Sequence, residues 1–148
     1  MTHPVLEVSR SGMDVEYRRV ELVANNIANA GTTASSAEGA YFPLRLISGP
    51  KLAGKVDPAA AQKPGVGAPM RPGVQIYSYE PTSAAPRQVY EPAHPQADES
   101  GYVTYPGIDQ VSEMTTMMQA LRSYEANVAV FNATRTMYLK ALELGGRS

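Results

Sequence analysis

A glycine-rich run that ends in lysine can cradle a phosphate, and Gly49-Pro50-Lys51-Leu52-Ala53-Gly54-Lys55 has that spacing. The chemistry stops at the next residue. Magnesium needs Ser or Thr there, and the chain has Val56. A helix should follow and aim its amides at the phosphate, but Asp57-Pro58 follows. Imidazole chemistry fares no better. The two histidines, His3 and His94, lie far apart, and neither has a second ligand type at metal spacing. Beside His94-Pro95, the carboxylates of Asp98 and Glu99 would make at best a weak oxygen-rich cation site, and a solvated turn is the commoner use of such a cluster. Adjacent carboxylates do not define a shared catalytic face. No serine has a recognisable base and orienter near it. The chain has no cysteine, so it has no disulfide, no thiolate metal site and no cysteine nucleophile. Asn132-Ala133-Thr134 matches a glycosylation acceptor but falls inside a helical pattern. The expectation is therefore no enzyme: no catalytic residue, no cofactor-binding or metal site, no cofactor and no small-molecule substrate. Hydrolysis of the cell wall is the one enzymatic alternative weighed, and no acid and nucleophile pair supports it.

Other partners are excluded by composition. A formal net charge of -1 lacks the basic excess that grips a phosphate backbone, so no nucleic acid is expected. Arg18-Arg19 is the only adjacent basic pair and reads as a solvated helix face. No apolar run approaches the roughly 20 residues that span a bilayer. Met1-Thr2-His3-Pro4-Val5-Leu6-Glu7 lacks the basic region and apolar core of a secretory signal, so a route out of the cytoplasm would have to dispense with one. With 148 residues, 43% hydrophobic and 18% charged, the chain suits one folded domain. Its 12 Gly and 12 Pro crowd between residues 31 and 107, which leaves both ends free to form long helices.

Pro4 to Ala30 reads as the first helix. Leu6, Met13, Val20 and Ile27 recur at steps of seven, with Tyr17 and Ala24 between them and Val23 and Ala30 alongside. Gly12 weakens the pattern, since an interior Gly costs about 1 kcal/mol against Ala. Gly31 is placed as the C-terminal cap. Asp109 to Leu144 reads as the second helix, with Asp109 as N-cap after the breaker pair Pro106-Gly107, and Gly145-Gly146 at its end. Its stripe is Met114, Met117, Leu121, Tyr124, Val128, Phe131, Tyr138 and Leu142, interrupted by Arg135. The methionines fit an adaptable apolar seam better than a cofactor box. About 36 residues at 1.5 Å give a rod of roughly 54 Å. A small globule cannot bury so long a stripe. The first helix can cover part of it as a coiled-coil partner, and the surplus on both helices calls for other chains in preference to a self-contained helical hairpin.

Between the helices, Tyr41 to Ser48, Val74 to Tyr79, Arg87 to Glu91 and Tyr102 to Tyr105 are short β-prone runs, and Gly49 to Gly73 reads as a loop, with Lys63 to Pro69 its least structured part. The expected fold class is mainly α with a small β-rich insert. Residues 1–33 and 107–148 would form one discontinuous helical domain, with 34–106 as the insert.

Ala24-Asn25-Asn26-Ile27-Ala28-Asn29-Ala30, with Ser11-Gly12-Met13 and Arg19 before it, resembles the N-terminal signature of the flagellar rod, hook and hook-associated axial proteins. Tyr90-Glu91-Pro92-Ala93-His94-Pro95-Gln96-Ala97-Asp98, then Gly101-Tyr102-Val103, resembles the segment before the last helix in a proximal-rod subunit of that family. Ser112-Glu113-Met114, Arg122 to Asn127 and Leu142 to Gly145 extend the resemblance through the final helix. Gly107 stands where Asn is usual, and Thr32-Thr33 where Asn-Thr is common. The resemblance implies a structural subunit of a periplasmic rod in the flagellar basal body. Such subunits pair their terminal helices in an antiparallel sense, pass through the flagellar type III export apparatus without a cleaved signal and carry torque to the hook. Another axial component or a scaffold is the alternative of the same kind. The implied partners are copies of the chain, other rod subunits, membrane-ring or rod-adapter proteins, and the export apparatus. The assembly interface is then expected at Leu6, Met13, Val20, Ile27 and the second helix's stripe of Met114, Met117, Leu121, Tyr124, Val128, Phe131, Tyr138 and Leu142. Asn25, Asn26 and Asn29 either terminate the helix or bond neighbouring subunits through their amides, and the second reading is preferred.

Overall fold

The computed structural model describes residues 4–52 and 70–145. Two long helices flank four short strands. Helix α1 spans Pro4–Ala28, β1 Leu44–Leu52, β2 Met70–Pro81, β3 Arg87–Tyr90, β4 Tyr102–Tyr105 and α2 Gln110–Gly145. β1 pairs with β2, and β3 with β4. All four strands fall on the expected β-prone runs. The first two are longer than expected: Gly49 to Leu52 and Met70 to Gly73 are strand rather than loop, because each segment extends a pairing its neighbour has begun. The remainder of that expected loop, the lysine end of the phosphate-loop pattern, His3 and Gly146 lie outside the described residues.

The helix ends follow local chemistry. Pro4 opens α1, where its missing N–H removes a donor that would lack a partner anyway. Gly31 is not a left-handed cap: among the described residues only Gly73 and Gly101 have positive φ. The chain instead leaves α1 through tight turns, with the Ala30 amide on the Ile27 carbonyl (3.1 Å) and the Thr32 amide on the Asn29 carbonyl (3.0 Å). The Asn29 side chain adds a bond to the Asn25 carbonyl at 2.8 Å. At α2, Asp109 is the expected N-cap, its carboxylate accepting from the Val111 amide at 3.1 Å.

The chain divides into two compact units. One is drawn from the described parts of Met1–Tyr17, Ser48–Tyr77 and Leu121–Ser148. Within it, α1 buries Ser9 and Val15, and α2 buries Thr134. Gly12 lies between the first two on the same face. A Cβ there would sit 2.8 Å from Asn127 Nδ2, so the interior glycine that weakened the helix pattern is where α2 comes close. Gly73 (φ +122°) does the same for β2: its backbone passes Ser11, whose hydroxyl accepts from the Val74 amide at 3.1 Å.

The other unit comprises Arg18–Ile47 and Ser78–Ala120. Its apolar core is Val23, Leu46, Val103 and Ala120 with Ala30, Ala34 and Ala40. β3 and β4 form an antiparallel hairpin in which Tyr90 faces Tyr102 and Val89 faces Val103. The Asp98 carboxylate closes the connection by accepting from the amides of Ser100 (2.9 Å) and Tyr102 (2.8 Å). Gly101 (φ +81°) passes under the Tyr90 ring. A bridge from Ala34 to Thr104 ties the segment after α1 to the hairpin. Gly107 lets the chain pass the backbone of Ala84 and Ala85, where a Cβ would collide.

Candidate assembly surfaces

The described faces of the helices sort by residue size. Fully buried helical positions in the first unit are Ser9, Val15 and Thr134, and in the second Val23, Asn26 and Ala120. These are small or polar. The large apolar side chains of the expected stripes lie elsewhere: Leu6, Met13, Val20 and Ile27 are half-buried, as are Met117, Tyr124, Val128 and Phe131. Met114 (50%), Leu121 (44%), Tyr138 (46%) and Leu142 (55%) are exposed, and so is Tyr17. α2 also exposes Val111, Met118, Val130, Met137, Leu139 and Leu144, so apolar groups surround it. A helix apolar on all sides is normally a buried one.

The three asparagines of the first helix separate. Asn25 is exposed. Asn29 bonds its own helix end, the terminating role. Asn26 is 1% exposed and saturated inside the chain. Its Nδ2 donates to the Leu44 carbonyl (2.9 Å) and to Glu113 Oε2 (3.2 Å). Its Oδ1 accepts from the Tyr41 hydroxyl (2.9 Å) and the Leu44 amide (3.2 Å). A carboxamide has two donors and two lone pairs, so nothing is left for a neighbouring subunit. The expectation for Asn26 is a bond to a neighbouring subunit; within this chain its amide groups bond Tyr41, Leu44 and Glu113. The available signal was its three- and four-residue spacing from Val23 and Ala30, which puts it on the buried face. Tyr41 and Glu113 join it from other elements, and sequence spacing could not have paired them. Burial, and then the Glu113 carboxylate, raise the Tyr41 pKa above its ordinary value of 10.0, so its hydroxyl stays a donor.

The charges close to this network are accounted for in the same way. Arg18 pairs with Glu21 at 2.8 Å on the surface. Arg19 does not simply face solvent: it is half-buried and donates to the Leu46 carbonyl at 3.3 Å. Asp98 spends its carboxylate on its own turn, and His94 Nδ1 accepts from the Gln96 amide at 3.1 Å. Among the described residues no group of three His, Asp or Glu is placed to hold a metal, and no helix is long and apolar enough to cross a membrane. In the first unit a shallow apolar groove of about 320 Å³ is lined by Val5, Thr134, Met137, Tyr138 and Ala141.

Comparison with known proteins agrees with this arrangement. Residues 6–34 match the family described as "Flagella basal body rod protein", and residues 99–144 match "Flagellar basal body rod FlgEFG protein C-terminal". The chain is similar to the "Flagellar basal-body rod protein FlgC" of Salmonella typhimurium, 33% identical over 141 residues, covering 95% of this chain and 96% of the relative. It is 35% identical to that of Bacillus subtilis over 147 residues (95% of each chain) and 32% identical to that of Borreliella burgdorferi over 148 (94% of each). The chain belongs to the FlgC family of flagellar basal-body rod proteins.

Proposed function

We propose that this protein, a structural subunit of the flagellar basal-body rod, assembles by packing the outer faces of its two terminal helices against helices of other subunits, and so carries torque along a tube. The observation that carries the reading is the set of large apolar side chains left exposed on both helices, from Tyr17 on α1 to Leu121 and Leu142 on α2. Apolar contacts are non-directional and strengthen with area, which suits a shaft loaded along many seams. Antiparallel pairing of the terminal helices within one subunit belongs to the same reading. In the first unit, Gly12 meets Asn127, and Val5 and Thr134 line one groove, so seven residues forward on α1 match seven backward on α2. Residues 1–33 and 107–148 then act as one tube-lining body, with 34–106 as its insert. The partners in this reading are copies of the chain, other rod subunits, ring or adapter proteins at the rod base, and the type III export apparatus. The location is the periplasmic part of the basal body.

Leu121→Asp is the test. Leu121 is 44% exposed, so the isolated chain should keep its helix content and denaturant midpoint. In an assembled seam the carboxylate loses water without a partner, which costs several kcal/mol per subunit. Swimming should fail in a strain that carries only the variant. Normal swimming would show that this face of α2 meets no neighbour.

A further inference from the structure

We propose that Asn26 is a register lock, the residue that selects one alignment of α1 against β1 and α2 in the unit formed by Arg18–Ile47 and Ser78–Ala120. The helical surface around it is poor in features that set register. Its buried neighbours along the helices are Val23 and Ala120, and Thr116 is half-buried. The fully buried helical side chains are small, and the larger Leu22, Ile27 and Met117 are only half-buried, so apolar contact fixes the alignment less sharply than a deeply seated large knob would. Hydrogen bonds are short-ranged, and Asn26 makes four of them to three separate places: the Tyr41 hydroxyl, both backbone groups of Leu44, and Glu113.

A one-turn slip moves a helical residue by about 5.4 Å along the axis. Hydrogen bonds do not reach beyond roughly 3.5 Å between heavy atoms. All four would break together, leaving the buried Asn26 carboxamide without partners and releasing both backbone groups of Leu44. Neither neighbouring asparagine can take over: Asn25 is exposed, and Asn29 holds the Asn25 carbonyl at 2.8 Å. A buried polar residue that fixes alignment is the best-attested use of such groups between helices. The lock works inside a single chain, so its test is independent of the assembled rod.

The absence of cysteine allows two site-specific spin labels, at Ala24→Cys on α1 and Gln119→Cys on α2, both exposed and both in this unit. With Asn26 intact, the full-length chain should give one narrow inter-label distance. Asn26→Leu keeps the side-chain size and removes every bond. It should split or broaden that distance, with a second population displaced by about one helical turn, roughly 5 Å, while circular dichroism still reports helix. A single unshifted distance in folded Asn26→Leu overturns the proposal and leaves Asn26 as a contributor to stability alone. If Asn26→Leu unfolds, the decision passes to exchanging the charge between the bond partners. Asn26→Asp sets two carboxylates against each other and should broaden the distance. Adding Glu113→Gln supplies a donor to the new carboxylate and should narrow it again. Failure of the second change to narrow it overturns the proposal.

Discussion

Gly12 sets two energies against each other. In a helix interior, Gly→Ala gains about 1 kcal/mol. Here the added Cβ would lie 2.8 Å from Asn127 Nδ2 and 3.0 Å from its Cγ. Overpacking of this kind costs about 1–3 kcal/mol. Gly12→Ala alone should therefore be neutral or destabilising in urea unfolding. In an Asn127→Ala background the same change should recover its intrinsic gain of about 1 kcal/mol. A full gain in the unmodified chain would mean that Asn127 swings away freely. Tyr41 gives a second test, in pH. Its folded pKa is raised above the unfolded value of 10.0, so the folded state holds the proton more tightly. That contribution is complete below pH 10 and is lost as pH rises through the folded pKa. Tyr41→Phe should lower stability at pH 7 by about 1 kcal/mol, the worth of one hydrogen bond. It should also flatten the decline above pH 10. An equally steep alkaline decline in the variant would assign it to other groups, among them Tyr105, whose pKa is raised by burial and by Glu91.

Elements differ in how much of their surface the chain itself covers. Every residue of α2 from Arg135 to Gly145 is exposed, about three turns with no buried side chain. A helix without tertiary packing is marginal in water. Hydrogen exchange on the dilute chain should show weak protection in this segment and stronger protection around Asn26 and Ala120. Equal protection along α2 would show that its exposed last turns are as stable as its buried ones. The sequence revealed these elements well because breakers mark their ends: Pro4, Asp109 and the Pro106-Gly107 pair bound the helices, and β-prone runs between Pro and Gly marked all four strands. It misjudged Gly31, since glycine permits a left-handed cap without requiring one. It also missed the strand extensions at Gly49 to Leu52 and Met70 to Gly73, which exist by pairing rather than by propensity. The inner faces were harder to read than the outer ones. Heptad spacing finds large apolar residues, and the described inner faces use Ser9, Gly12, Asn26, Ala120 and Thr134.

For the whole molecule, stability and assembly are coupled through what lies uncovered. Among the described residues, eight apolar side chains are buried and four of those are alanine, while nineteen large hydrophobic side chains are exposed. Full burial of a Val or Leu stabilises by about 1.5–3 kcal/mol and an alanine by far less, so most of the available driving force is not realised in one chain. The dilute protein should unfold at low urea, with a midpoint that rises with concentration or on addition of a rod partner, as mass action requires. A high, concentration-independent midpoint would show that the chain is self-sufficient. The small, polar inner faces also bear on descent. Gly12 and Asn127 fill one space between them, and Asn26 and Glu113 share one hydrogen bond, so a change in one member of a pair alters what the other can accommodate. Those positions should be inherited as couples, whereas the exposed apolar positions, under the proposed assembly, should drift in step with the chains they meet.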